Sequence, residues 1–553
     1  MERFIRTTGF FFFLFTAAAA FSLPEQKILY SGDWAYEALG ILSREQGKVL
    51  LADSSLTVAQ AKRFLSEIDG ESLSTTGKEI YADLREYLDS PWWITYGSDA
   101  VSVDFEPAFQ PEAYFKTAED TSWIWDRHYR RPLFLFPVSL SLGPWVTAEM
   151  ELNLGQNEYA AALHNNYTNI PLDPVSQFDI HFPKRSYLSA GIPFGEASGI
   201  SFAIGQGEDF FGRTKTGSVV LSEYLERVIY AQFSLYSPAL RYTAEVMQYE
   251  VNKYQYMHYL QIRPHRSFSL SFAEGVMVNA PLELRFLNPL TIFHSYEAYK
   301  TYTDYNEDLG HDDGADTTYD PTGGSRIGSY LGVKIEWQPV KYLRLYGLYA
   351  MDQFQLGVEK SHWEEDLTPD AMAFQGGVEV SAPVKKGYWQ FGFEGVYTYP
   401  YMYVLWDKRW SFYKEVPEMD RMKLRYWTGT PFGPDSIAGI FWAGFHAGRR
   451  WSLSFSFTVS AQGERSGLDI FDHDDIPYDT YRPTHMVYDV TSPATGVPVY
   501  TCTAKLLGEW APFRWLDFSI QPGYRFISNL NHELGRRAQG FELAFSARLR
   551  PWF

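Results

Sequence analysis

From about residue 100 onward, apolar and polar residues alternate with a period of two. Trp451, Leu453, Phe455, Phe457 and Val459 alternate with Ser452, Ser454, Ser456 and Thr458. Val146, Ala148, Met150 and Leu152 alternate with Thr147, Glu149, Glu151 and Asn153, and Phe268, Leu270 and Phe272 with Ser267, Ser269 and Ser271. Val333, Ile335 and Trp337 flank Lys334 and Glu336, and Trp389, Phe391 and Phe393 flank Gln390, Gly392 and Glu394. Successive side chains of a strand point to opposite faces, so each segment has one apolar and one polar face. A sandwich strand is nearer about five or six residues. Several of these runs reach about ten, the length of a tilted membrane-crossing strand. Roughly sixteen to eighteen segments are legible, and bacterial barrels close on an even number. The pattern therefore predicts a mainly β fold: a transmembrane antiparallel β-barrel of about 16–18 strands with a small N-terminal helical bundle.

The bundle is read from residues 32 to 90, where the apolar period is helical. Thr57-Val-Ala-Gln60 has capping-box spacing ahead of Val58, Ala61, Phe64, Leu65 and Ile68, and Gly70 stops the run. Thr76-Gly-Lys-Glu79 is a second candidate box before Ile80, Leu84, Tyr87 and Leu88, and an earlier helix carries Trp34, Ala38, Ile41 and Leu42. Further upstream, Arg3 and Arg6, the apolar Phe10 to Phe15 and the small Ala18, Ala19 and Ala20 have the three-part pattern of a signal peptide cleaved near Ala20 or Ser22. No cysteine follows to carry a lipid anchor. The expected organisation is a signal peptide over 1–22, a periplasmic helical bundle over 23–92 and an outer-membrane barrel over 93–553.

Composition agrees with that picture. Aromatic residues make up 18% of the 553 positions, which suits a lipid-facing band and its interfacial girdles. Mean hydropathy is −0.27 because half of every barrel strand faces a polar lumen. The net charge of −19 excludes a nucleic-acid partner, which needs a basic surface. The single cysteine, Cys502, falls in the strand Val499 to Leu507 and reads as a packed thiol. At the C-terminus Phe541, Leu543, Phe545, Ala547, Leu549 and Phe553 share one face. A terminal Phe in that register resembles the β-signal read by the barrel assembly machinery, with Pro551 as a departure. Residues 404 to 434 and 463 to 498, and the acidic, Gly-rich stretch around Asp312 to Gly324, read as long connections.

Candidate chemistry is sparse. Asp304, Asn306 and Asp308 have calcium-loop spacing, but Leu309 and Ala315 stand where such a loop needs Gly and Glu. Asp469, Asp472, Asp474, Asp475 and Asp479 form a second acidic cluster. Solvated loops are the preferred reading, calcium the alternative, and no cofactor is expected. His265, Glu274 and His294 follow no metal-ligand spacing. GxSxG, HExxH and P-loop patterns are absent, so no enzymatic activity is expected.

More telling is Arg263-Pro-His265-Arg266, a Ser- and Phe-rich strand reaching Glu274, then Leu282-Glu-Leu-Arg285-Phe-Leu-Asn288-Pro289 and on to His294. On its own, the charge pattern reads as a luminal ladder of Arg266, Glu274 and Arg285. Together with Gly205-Gln-Gly-Glu-Asp-Phe-Phe-Gly212-Arg213, Tyr36-Glu-Ala-Leu39, Leu56-Thr-Val-Ala-Gln60 and Leu73-Ser-Thr75, the segment resembles the capsule-assembly (Wzi) family of outer-membrane barrels. The family's Trp and second Gly pair are missing after Arg213, and its Pro-Leu-Ser-Arg element appears only as Ser55-Leu-Thr-Val58. The resemblance implies a lectin-like, non-catalytic barrel that holds surface polysaccharide. It makes Arg213, Arg263, His265, Arg266, Glu274, Arg285, Asn288 and His294 the candidate ligand-binding residues. Loops such as Trp406 to Tyr413 and Asp472 to Tyr481 would stack on sugar rings, although residue by residue an interfacial girdle is the preferred reading of their aromatics. Expected partners are outer-membrane lipid, the assembly machinery and surface polysaccharide. The alternative is a porin-like solute channel, for which luminal Glu149, Glu151, Glu336 and Glu394 would prefer cations. An open or a filled lumen separates the two.

Overall fold

The computed structural model describes residues 24–89, 94–126, 128–156, 167–170, 178–181, 184–194, 198–293, 327–353, 370–405, 408–417, 423–448, 450–468 and 492–550. The segment read as a signal peptide, Phe553, His294 and both acidic clusters lie outside them. Strand formation begins at Ile94–Gly97, slightly before the expected onset, in a short hairpin with Val101–Phe105. From there antiparallel pairing runs without interruption from neighbour to neighbour. The last strand, Arg537–Leu549, returns to pair with Glu112–Lys116 and Phe109. The result is a closed barrel of 18 strands.

Register explains why the alternating pattern survives into the fold. Trp451, Leu453, Phe455, Phe457 and Val459 all project outward, and so do their ladder partners Phe445, Ala443, Phe441 and Gly439. A slip of one residue would reverse every one of these side chains. The outward face is a belt of exposed Phe, Leu, Ile and Trp on nearly every strand. Short turns, among them 266–267, 338–342, 385–386 and 514–515, gather at one end. At the other, strands end at Gly207, Val278, Thr398 and Gln462, where the longer connections begin. Among the described residues no helix is long and apolar enough to cross a membrane.

Three helices precede the wall: α1 (Trp34–Gln46), α2 (Val58–Ser66) and α3 (Thr75–Asp89). Asp33 caps α1 by accepting from Ala35 N, and Gly47 ends it at φ 62, where a left-handed residue is required. The capping box at Thr57 and Gln60 forms as expected. The second box does not. Ser74 accepts from Gly77 N at 3.1 Å and starts α3 two residues earlier. Thr76 is already helical, and its hydroxyl donates to Val384 O at 2.6 Å. The three helices share one core, joined by Phe210 and Tyr388 from outside the bundle. The bundle is seated at the short-turn end: Val49 N donates to Arg266 O at 2.8 Å, and Tyr342 N donates to Arg44 O at 2.6 Å.

The opposed faces give a direct test. Phe455→Arg puts a cation on the outer belt and should cost about 2–4 kcal/mol of stability in lipid vesicles. Ser456→Arg on the adjacent, lumen-facing position should cost less than about 1 kcal/mol. Denaturant unfolding of the two variants in vesicles measures the difference.

Candidate functional site

The lumen carries the chain's densest polar chemistry. Lys334, on strand Ile327–Trp337, is 1% exposed and sits between Asp53 of the helical segment and Glu336, 2.8 Å away. Glu336 meets Arg344 at 2.9 Å, Arg344 meets Glu379 at 3.2 Å, and Glu379 meets Arg44 of α1 at 3.2 Å. Acid and base thus alternate through six side chains, and their charges cancel. Arg44 Nε also donates to Ser381 Oγ at 2.7 Å. Both ends of this chain of ion pairs belong to the helical segment, and its middle belongs to the wall. Desolvation makes buried charge costly unless each ion is paired, so the wall and the bundle need each other.

Further contacts run around the bundle. Arg263 donates to Val49 O at 2.8 Å and pairs with Glu67 at 2.7 Å. Arg241 donates to Ser55 O at 2.7 Å, and Gln60 donates to Ser201 Oγ at 3.2 Å. Tyr30 donates to Glu151, and Tyr388 donates to Glu45. The expected luminal Glu149, Glu151, Glu336 and Glu394 do face inward; Glu151 and Glu394 are engaged by the filling, Glu149 by Tyr187 and Arg185, and Glu336 by Lys334 and Arg344.

Connections from the other end fold inward to meet the bundle. Segment 208–227 crosses the lumen. Gly212 N donates to Asp53 O at 2.8 Å, and Phe211 stacks on Tyr259 with ring centroids 5.1 Å apart. On the far wall, Lys215 N and Thr216 N donate to Glu394 at 2.9 and 3.0 Å. Residues 117–131 are held by Glu542, which accepts from Ile124 N and Trp125 N at 2.6 Å each. His128 meets Glu226 at 3.2 Å, tying these two segments together. Connection 399–435 contributes the hairpin Tyr413–Pro417 and Lys423–Trp427, whose Leu424 and Tyr426 join the luminal core.

Two carboxyls in the crossing segment behave oppositely. Burial would raise Glu226, but Lys184 and His128 outweigh it and hold the group far below the usual range. Glu223 is pushed up to about 7, chiefly by burial. Its Oε2 has no hydrogen-bond partner among the described residues.

The filling is off-centre. Inward Thr243, Gln261, Ser271 and Ser381 are fully covered. On the opposite side, inward Ser452, Ser454, Ser456, Thr458 and Ser460 stay partly exposed, as do Thr501, Thr503 and Lys505 on the next strand. A hydroxyl-lined flank therefore runs the height of the wall. A cavity of about 140 Å³ lies between α1 and the crossing segment, lined by Tyr36, Glu37, Arg44, Asp53, Arg213 and Glu379. It has room for a few waters. A larger concavity of about 780 Å³ lies on the outer wall at the seam, lined by Phe109, Phe134, Phe136, Trp515 and Leu549, and is apolar.

The structure does not bring the sequence-predicted site residues together. Arg213 lines the small luminal cavity, its guanidinium 5.0 Å from the Tyr36 ring, and burial lowers its pKa. Arg263 anchors the bundle. His265 and Arg266 are exposed at a short turn. Glu274 does not join a luminal ladder: it alternates with buried Ala273 and Gly275 and so faces outward, opposite His258. Arg285 pairs with Glu283 at 2.6 Å in a segment on the outer wall, and Asn288 there caps Leu290 N at 3.2 Å. The expected sugar-stacking aromatics Trp410, Phe412 and Tyr413 are buried in the filling, because their connection folds inward. Among the described residues no cluster of three His, Cys, Asp or Glu side chains is arranged to hold a metal. The ion-pair chain through Arg44 and Asp53 was missed. Two charges among the buried apolar positions of the bundle were its only trace in the sequence.

No protein-family model and no curated protein matches the chain. Solved structures do. The Escherichia coli outer-membrane protein Wzi, described as a carbohydrate-binding β-barrel involved in group 1 capsule assembly, aligns with a TM-score of 0.56 at 11% identity. That alignment covers 94% of this chain and 98% of Wzi. The outer-membrane protein OprD of Pseudomonas aeruginosa aligns at TM-score 0.38 and 8% identity over 82% of this chain and 94% of its own. The outer-membrane channel DcaP of Acinetobacter baumannii gives 0.35 and 7% over 82% and 99%. The likeness to Wzi is one of fold.

Two predictions follow from the luminal chemistry. Lys334→Met strands Asp53 without its cation, leaves Glu336 with Arg344 alone, and should weaken docking of the bundle by about 3–5 kcal/mol. Faster protease nicking between residues 24 and 89, with the barrel still folded, is the expected readout. For Glu223, the unfolded carboxyl ionises near 4.5 and the folded one near 7. Its contribution is therefore fully present below 4.5 and lost as pH rises through 7. Hydrogen-exchange protection of residues 209–225 should fall between pH 5 and 8, and Glu223→Gln should flatten that fall.

Proposed function

We propose that this chain is a non-enzymatic outer-membrane barrel that associates with surface polysaccharide. The observation that carries the reading is the filled lumen. An 18-stranded wall alone encloses a water-wide bore. Here that bore holds a helical bundle locked by buried ion pairs, with three inward connections above it. Such a lumen suits a protein that holds a ligand more than one that passes solutes. The hydroxyl-lined flank supports the glycan reading, since Ser and Thr hydroxyls donate to and accept from sugar hydroxyls alike. The carbohydrate-binding barrel whose fold this chain shares has the same implication.

The same flank favours the second reading, a narrow solute channel, because its side chains are wet from one end to the other. A planar bilayer separates them. The intact chain should show no large, stable conductance step, and immobilised protein should retain polysaccharide extracted from the producing cells. Steady conductance with no polysaccharide retained would move the channel reading ahead.

A further inference from the structure

Segment 279–293 leaves the long-loop end of strand Phe268–Val278 and turns down the outside of the barrel. Its short 3₁₀ turn, Leu284–Leu287, places Phe286 on the wall. Phe286 and Phe293 form a buried cluster with outward-facing Tyr256, Val276 and Val278. The Tyr256 hydroxyl accepts from Glu283 N at 3.0 Å, and Phe293 stacks on His258 with ring centroids 4.3 Å apart. Tyr242, the third residue of strand Leu240–Glu250, donates its hydroxyl to Pro289 O. The flap therefore crosses two wall strands and reaches almost to the short-turn end of the second.

Its underside meets what the lipid belt should not contain. Tyr242, Tyr256 and His258 interrupt the apolar outer face on adjacent strands, and Glu274 stands opposite His258 in the ladder. Polar groups turned toward hydrocarbon without partners cost several kcal/mol each. The flap's upper side presents the reverse chemistry. Leu284 is 78% exposed, Leu290 87% and Ile292 63%, with Leu282 and Leu287 beside them. Phe272 of the neighbouring belt is 41% exposed, in the same lateral row as Leu260 and Tyr242. The apolar surface of the flap is thus continuous with the lipid-facing belt and projects further from it. A contiguous apolar patch of this kind marks a partner, and that continuity identifies the partner as lipid acyl chains.

We infer that residues 279–293 are a membrane-embedded flap that seals polar wall residues from hydrocarbon and presents Leu284, Leu290 and Ile292 to acyl chains. This rests on the outer-membrane reading, and the test keeps the two apart. In a Cys502→Ser background, nitroxide labels are placed at Leu284→Cys, Leu290→Cys, Phe272→Cys and Glu533→Cys, and the full chain is reconstituted in phosphatidylcholine vesicles. Collision with oxygen and with a water-soluble nickel chelate is then measured. Labels at 284 and 290 should match Phe272, favouring oxygen, while the loop position 533 favours nickel. Labels at 284 and 290 that favour nickel while 272 favours oxygen overturn the flap alone. A label at 272 that favours nickel overturns the membrane reading and the flap with it. Spin–spin broadening between copies at 284 or 290 assigns the patch to a second copy of this chain and also overturns the inference.

Discussion

An 18-stranded wall encloses more space than its own inward side chains can fill. In a barrel of about eight strands they can meet across the axis, but at eighteen they cannot. Everything inside this molecule answers that constraint. Among the described residues, four stretches are drawn into the lumen: the helical segment from the short-turn end, and the described parts of 117–131, 208–227 and 399–435 from the other. The core that results is built from loops and helices against strands. Tyr330 of the wall, for example, donates to the carbonyls of Val219 and Val220 at 2.8 Å each. Polar satisfaction follows the same logic. The wall's inward carboxylates and bases would suit water, but where filling replaces water they are paired off, as in the chain from Asp53 to Arg44.

One alternating pattern therefore serves three environments. Its apolar half faces lipid nearly everywhere. Its polar half faces water along Ser452 to Ser460 and dry packing at Ser269, Ser271 and Ser381. Hydroxyls suit both, because a Ser carries no charge into the interior and costs far less there than an unpaired ion. On the packed side the full charges from Asp53 to Arg44 are held by fixed partners.

This division also marks what could be read from the sequence. The closed antiparallel wall, its strand number within two, the helical segment and the first capping box were legible, because period and capping are local signals. The two faces of each strand were legible for the same reason. Which polar faces meet water was not, since Ser456 and Ser271 look alike along the chain. The inward turn of 208–227 and 399–435 was equally hidden, because it depends on partners far away in sequence. So Trp410 and Phe412, read as interfacial girdle or sugar platforms, are core residues. Glu274 was misplaced because its charge was read as luminal, although it lies two residues past Phe272 and so on the same outward face.

The separation of Asp53 from Lys334, 281 residues along the chain, bears on how the molecule is made. The helical segment emerges from synthesis long before strand Ile327–Trp337 exists. Until the wall closes, Asp53 and Arg44 have no buried counter-ions, and water is their better solvent. The helices can pair with one another early, since their shared core is almost entirely their own. Their seat inside the barrel is complete in the closed wall, where Arg537–Leu549 pairs with Glu112–Lys116. The contacts that seat the helical segment are thus long-range in sequence, and its ion pair with Lys334 can form only after strand Ile327–Trp337 has been made.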